Sequence, residues 1–310
     1  MIATWPRLVV VATDGLSSSA DAAVRAARAF AGRTGAAVQM LAVYTPRTPV
    51  PFVESGSARA RCAPSDRREI ARLIRQVRMQ VRQTLDEPGL LAQWPLVVEI
   101  GDPGSIAARV AGESGADLIV VGLGAPERRH LHVGGTTALC VARYATAPLY
   151  AAMSGCEIPA SGIVPIVDGQ LHVPTLRATA ACVLPGGRMA LAYVGSARHD
   201  TDADCPTPVR QIVQHACGAA WKARLDQLDI ARVDLEGDAT AGVLRLAEDS
   251  HADLIAVPNY GTPGPVRAFV PNLVDSLLLA AHCSVLVVPD WADEAVHIGP
   301  GISDGGHVIS

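Results

Sequence analysis

The stretch from Gly101-Asp102 to Ala147-Pro148-Leu149 recurs 136 positions later as Gly237-Asp238 to Cys283-Ser284-Val285. In each copy a Gly-Asp turn leads into a helix-like segment, then an apolar strand, a loop, a second helix and a final strand. The apolar strands are Ala116-Asp117-Leu118-Ile119-Val120-Val121 and Ala252-Asp253-Leu254-Ile255-Ala256-Val257. A chain written this way has to fold as two similar units, and 310 residues give each enough length to bury a core.

The first unit alternates strand and helix patterns. Leu8 to Ala12 and Val38 to Val43 read as strands, and Ala20 to Ala31 reads as the helix between them. From Asp66 to Leu85, the apolar residues Ile70, Leu73, Ile74, Val77, Val81 and Leu85 recur at three- and four-residue steps, the mark of an amphipathic helix. Leu96 to Ile100, Ile106 to Ser114, Leu118 to Val121, Thr136 to Tyr144 and Leu149 to Ala152 then complete a five-strand, four-helix unit. Strands alternating with helices predict an α/β fold, here two tandem doubly wound parallel sheets of Rossmann-like form.

Breaks in the pattern set the expected boundaries. The first domain covers 1–154, a turn-rich linker 155–162, the second domain 163–290 and a flexible tail 291–310. Pro46 to Pro64 reads as a long loop able to cover a pocket. Ile163-Val164-Pro165-Ile166-Val167-Asp168-Gly169 echoes Val9-Val10-Val11-Ala12-Thr13-Asp14-Gly15, with Pro165 weakening the strand. The final strands Leu149 to Ala152 and Val285 to Val288 each resemble a sheet edge. Pairing them within the chain would hide both edges and make an intrachain pseudo-dimer, with homodimers of whole chains a further expectation.

Composition narrows the function classes. With 49% hydrophobic and 18% charged residues, the chain suits parallel strands buried on both faces. A net charge of −4 argues against a general nucleic-acid binder. The start of the chain has no secretory pattern, and Leu273 to Val288 is too short and polar for a membrane span, so a cytoplasmic protein is expected. The seven cysteines include no CxxC pair and read as reduced thiols. Lys222 is the sole lysine, which excludes a phosphate loop of the Gly-Lys-Ser/Thr type.

Ligands of open parallel sheets bind beyond the carboxyl ends of the strands. That rule brings Asp14-Gly15, Val43-Tyr44, Gly101-Asp102 and Gly122 to Thr137 to one rim. Gly122 and Gly124 would let backbone amides approach a ligand, and Gly134-Gly135-Thr136-Thr137 opens a helix whose N–H groups attract an anion. The alternative is that these glycines simply make tight turns.

With these residues the chain resembles a tandem universal stress protein from Arg7 to Pro289. The first strand ends in Asp14-Gly15, the second in Val43, and Gly122 to Gly135-Thr136 has the spacing of that family's nucleotide loop. Ala125 stands where the loop's middle glycine is expected, and Gly124 comes one residue early to supply a positive φ. The resemblance implies ATP, ADP or AMP as ligand, with or without Mg. Thr13 and Asp14 would lie beside the adenosine and Val43 would offer backbone groups to the adenine. Gly122, Gly124, Ala125, Gly135, Thr136 and Thr137 would surround ribose and phosphates. It also implies a bacterial stress sensor or regulator rather than a metabolic enzyme, with a slow ATPase or a nucleotide-free interaction scaffold as alternatives.

In the second copy Pro258 and Pro271-Asn272 replace the loop's first glycine and its Gly-Thr pair, while Gly261 is kept. Proline has no N–H to donate, so this unit is expected not to bind ATP in the same way. Other signals have plainer readings. Arg128, Arg129, His130 and His132 fit a solvated loop, and Asp200, Asp202 and Asp204 a polar surface loop rather than a calcium site. Cys140 fits a small core residue, and the arginines between Arg67 and Arg82 a solvated helix face.

Overall fold

In the computed structural model the described residues are 5–14, 17–45, 64–85, 94–124, 137–155, 157–167, 169–194, 209–259 and 270–290. Five strands belong to the first repeat: β1 (Leu8–Ala12), β2 (Ala37–Tyr44), β3 (Leu96–Ile100), β4 (Leu118–Gly122) and β5 (Leu149–Ala152). Helices α1 (Ser18–Thr34), α2 (Pro64–Leu85), α3 (Pro103–Ser114) and α4 (Thr137–Tyr144) lie between them. The second repeat supplies β6 (Ser161–Val167), β7 (Arg188–Val194), β8 (Asp229–Leu235), β9 (Leu254–Asn259) and β10 (Ser284–Pro289). Its helices are α5 (Val173–Cys182), α6 (Val209–Cys217), the single turn α7 (Lys222–Leu225), α8 (Ala239–Asp249) and α9 (Val270–Ala280).

Local chemistry explains where the helices begin and end. Ser17 caps α1 by accepting the Ala20 N–H, and Gly35 ends the helix at φ 74°, a conformation that suits glycine. Both Gly-Asp turns become helix starts: Asp102 accepts from the Ser105 N–H and Asp238 from the Ala241 N–H, each at 2.8 Å.

The ten strands form one sheet in the order β3-β2-β1-β4-β5-β10-β9-β6-β7-β8, the same half-sheet order twice, meeting in the middle. Neighbours within each half are parallel, whereas β5 and β10 are antiparallel, with Val285 opposite Ala151, Leu286 opposite Tyr150 and Val287 opposite Leu149. The final strands thus cover each other's edges. On one face α1 and α2 bury Val9, Val11, Met40, Leu118 and Val120 and α5 packs on β6, β9 and β10; on the other α3 and α4 bury Val10, Leu41, Ile119 and Val121, while α8 lies over β6, β7 and β8 and α9 over β9 and β10. Within the first half, Phe30 of α1 meets Tyr150 of β5 edge to face at 5.1 Å. Arg33, at the end of α1, donates to the Cys182 carbonyl at 2.6 Å and the Ala181 carbonyl at 2.9 Å, satisfying the last turn of α5.

The ladder corrects one expectation. Val9 lies opposite Leu118, and in the second half Gly162 lies opposite Leu254, the repeat equivalent of Leu118. Val9 therefore corresponds to Gly162, not to Ile163. The clamp at the foot of each strand agrees: Asp117 accepts the N–H groups of Arg7 and Leu8, and Asp253 those of Ala160 and Ser161. A one-residue shift exchanges the two faces of a strand, so Val167 rather than Asp168 stands level with Asp14. The strand β6 also starts at Ser161, inside the stretch expected as linker. Pro165 is accommodated in it: all seven residues pair with β7, while pairing with β9 ends at Ile163.

Candidate functional site

The first half reverses its winding between β1 and β4, which are neighbours whose following helices, α1 and α4, pack on opposite faces. A crevice opens beyond strand ends at such a point. Thr13 and Asp14 follow β1, Val43 lies near the end of β2, and Gly122 and Gly124 close β4 and begin its loop. Thr137 is the first residue of α4. Ala125, Gly135 and Thr136 lie outside the described residues, as do Arg128, Arg129, His130, His132, Asp168, Gly261 and the three aspartates between 200 and 204.

These residues divide between the two faces. Thr13 continues the ladder through its N–H to the Leu41 carbonyl at 2.9 Å, and its hydroxyl turns toward α2, donating to Gln80 Oε1 at 2.9 Å. Thr13 is 7% and Gln80 6% exposed. The Gln80 amide in turn donates to Asp21 at 2.6 Å and to the Ser17 carbonyl at 3.3 Å, so one carboxamide joins α2, α1 and the end of β1. Gly122 serves the same packing. A Cβ there would sit 2.0 Å from the Ser19 carbonyl oxygen, so α1 crosses β4 where only glycine fits.

Asp14 is exposed, and its Oδ1 accepts from the Ser17 N–H at 2.9 Å and hydroxyl at 3.1 Å, fixing the turn into α1. Among the described residues, nothing lies within 4 Å of a Cβ added at Gly124. It does not adopt the positive φ expected of it, so its value to the loop is the absence of a side chain. Val43 borders a cleft of about 290 Å³ between the end of β2 and α2, lined also by Tyr44, Thr45, Glu69, Arg72 and Gln76.

Asp102 and Cys140 are close to this rim. The Ser105 amide holds the Asp102 carboxyl below its ordinary range. Cys140 is half-buried rather than a core residue, and its thiol donates to Asp102 at 3.4 Å. Burial raises the pKa of that thiol. Gly104 gives the thiol room, because a Cβ there would lie 2.2 Å from the Cys140 Cβ.

The matching rim of the second half is cross-linked. Pro258 stands at the repeat position of Gly122, and Asn259 at that of Leu123. The Asn259 side-chain amide donates to the Ala142 carbonyl of α4 at 2.6 Å, and the Asn259 main-chain carbonyl accepts the Asp290 N–H at 3.0 Å. Asp290 reaches back to His172, the cap of α5, at 3.4 Å. Pro271 falls in the first turn of α9, where it supplies no amide. Sequence reading found the prolines but missed Asn259, Asp290 and His172, whose partners are distant in the chain.

Residues 7–151 and 179–289 match the universal stress protein family. The chain belongs to that family. A universal stress protein from Archaeoglobus fulgidus DSM 4304 is 16% identical, with 91% of this chain and 96% of that one covered at a TM-score of 0.64. A functionally unknown protein from Pseudomonas aeruginosa PAO1 is 15% identical over 94% of both chains, at a TM-score of 0.50. A universal stress protein solved in complex with cAMP is 24% identical over 46% of this chain and 94% of its own, at a TM-score of 0.33. The first two likenesses are of fold. No curated protein matches the sequence. Among the described residues no helix is long and apolar enough to cross a membrane.

Proposed function

We propose that this universal stress protein binds an adenine nucleotide, ATP or its relatives ADP and AMP, at the first-half rim and acts as a cytoplasmic stress sensor or regulator. On this reading residues 1–154 form the nucleotide-binding domain and residues 163–290 its packing partner. The base would lie beside Asp14 and Val43, and the phosphates, with or without Mg, near Gly124 and the amides that begin α4 at Gly135, Thr136 and Thr137. One observation carries the proposal: the first rim keeps glycine at Gly122 and Gly124, whereas the second half has Pro258 in place of Gly122, with Asn259 bonded to Ala142 and Asp290 beside His172.

The test is calorimetry with ATP, ADP and AMP, alongside mass spectrometry of small molecules released from freshly purified protein. Gly135→Pro imports the second half's residue into the first and is expected to weaken nucleotide binding at least tenfold. Unchanged affinity would refute this placement of the phosphates. Turnover that disappears in Asp14→Ala with the fold retained would point instead to a slow ATPase. The bonds of Thr13 to Gln80 and the packing of Gly122 on Ser19 favour a second reading, a scaffold that works without nucleotide. Absence of any heat with all three nucleotides would select it.

A further inference from the structure

Many of the described arginines elsewhere have partners within the fold, Arg188 and Arg245 being exposed exceptions that stand singly. Arg33, Arg177, Arg210 and Arg224 satisfy carbonyls at helix and turn ends, and Arg109 and Arg143 pair with Glu113 and Asp275. Helix α2 differs. Arg67, Arg68, Arg72, Arg75 and Arg78 are all exposed, and none makes a hydrogen bond or ion pair with a described residue. Among the side chains described on this helix, Glu69 is the one carboxylate. The opposite face is firmly held, with Val77 buried and Gln80 tied to Thr13 and Asp21.

Arg68, Arg72 and Arg75 follow one another at single-turn steps, and Met79, 57% exposed, continues the line. Like charges one turn apart repel, so the row makes α2 less stable in isolation and calls for counter-charge from outside. From Arg67 to Arg78 it spans about 16 Å at the helical rise. That length suits three or four carboxylates on a facing helix. A nucleic acid, with a charge about every 1.7 Å of duplex, would run past the row onto a protein of net charge −4. An apolar side chain ending the row also matches a protein partner better than a phosphate backbone.

We propose that the outer face of α2 docks an acidic helical segment of a partner protein. Carboxylates at three- and four-residue steps pair with the guanidinium forks of Arg68, Arg72 and Arg75, and an apolar residue rests on Met79. Arg72 also lines the cleft beside Val43, whereas Arg68 and Arg75 do not.

The experiment is fluorescence anisotropy at near-physiological salt. The probes are a labelled helical peptide with Glu at i, i+4 and i+7 followed by Leu, a scrambled peptide of the same composition, and a single-stranded DNA oligomer. Binding of the patterned peptide is expected to be stronger than that of the scrambled one. It should weaken about tenfold or more in the double variant Arg72→Glu with Arg75→Glu. The pair Arg72→Gln with Arg75→Gln should give a smaller loss of the same direction, with circular dichroism checking that each variant is folded. Tighter binding of DNA, equal binding of both peptides, no binding, or an affinity unmoved by charge reversal would each overturn the proposal.

Discussion

Replacing Gly122 with alanine tests whether that glycine exists for packing. The added Cβ would lie 2.0 Å from the Ser19 carbonyl oxygen and 2.3 Å from its carbon, both main-chain atoms that no rotamer change can move. Ordinary contact begins near 3.4 Å, so the first turn of α1 must retreat by roughly 1.4 Å. That retreat opens a gap beneath Ala22, Ala23 and Ala26, whose small side chains depend on close approach to the sheet. Gaps of 0.5–1 Å already forfeit about a quarter to a half of a contact's attraction, and overpacked sites lose about 1–3 kcal/mol. We expect Gly122→Ala to lose about 3 kcal/mol, a fall of roughly 6–12 °C in Tm. Gly124→Ala, whose added Cβ meets no described atom within 4 Å, should stay within about 0.5 kcal/mol of the parent. Urea unfolding followed by circular dichroism and by the buried Trp5, Trp94 and Trp221 measures both variants. Equal stability of the two variants would refute the packing argument for Gly122.

Asp253→Ala removes the acceptor of the Ala160 and Ser161 amides and the Ser161 hydroxyl, and should cost about 2–4 kcal/mol in the same unfolding assay. The Asp102 midpoint should lie below the ordinary carboxylate value because the Ser105 amide stabilises the anion. Its folded pKa is depressed, so its contribution to stability is complete above the unfolded value and is lost as pH falls through the folded one. An NMR titration checks the midpoint, and acid unfolding of Asp102→Asn should show a shallower pH dependence. Burial pushes the Cys182 thiol up to about 12 and the Cys217 thiol up to about 11. Neither should be alkylated at mildly alkaline pH in the native protein, and both should react after unfolding, as read by peptide mass spectrometry.

The strand and helix order was legible because polar turns punctuate apolar runs, and both final strands could be recognised as edges needing cover. The register of the opening strands was not. Val9-Val10-Val11 and Ile163-Val164 are apolar on both faces, so nothing in the sequence distinguishes one face from the other. Only the ladder and the aspartate clamps reveal the one-residue shift. At the rim, the sequence singled out Thr13 and Gly122 as nucleotide contacts but could not tell whether a ligand or a helix stood opposite. Gln80 and Ser19 answer that question for the described contacts. Asn259 reads as an ordinary loop-side polar residue until its bond to Ala142, more than a hundred positions away, is seen.

The antiparallel meeting of β5 and β10 has a further consequence. Because that join reverses strand direction, the carboxyl-end rims of the halves open toward opposite ends of the molecule, and a small molecule at one cannot touch the other. A covalent tether also makes the encounter of the halves intramolecular, so it does not weaken on dilution. The later copy can consequently diverge at its own rim while it still supplies the strand that keeps its neighbour from fraying.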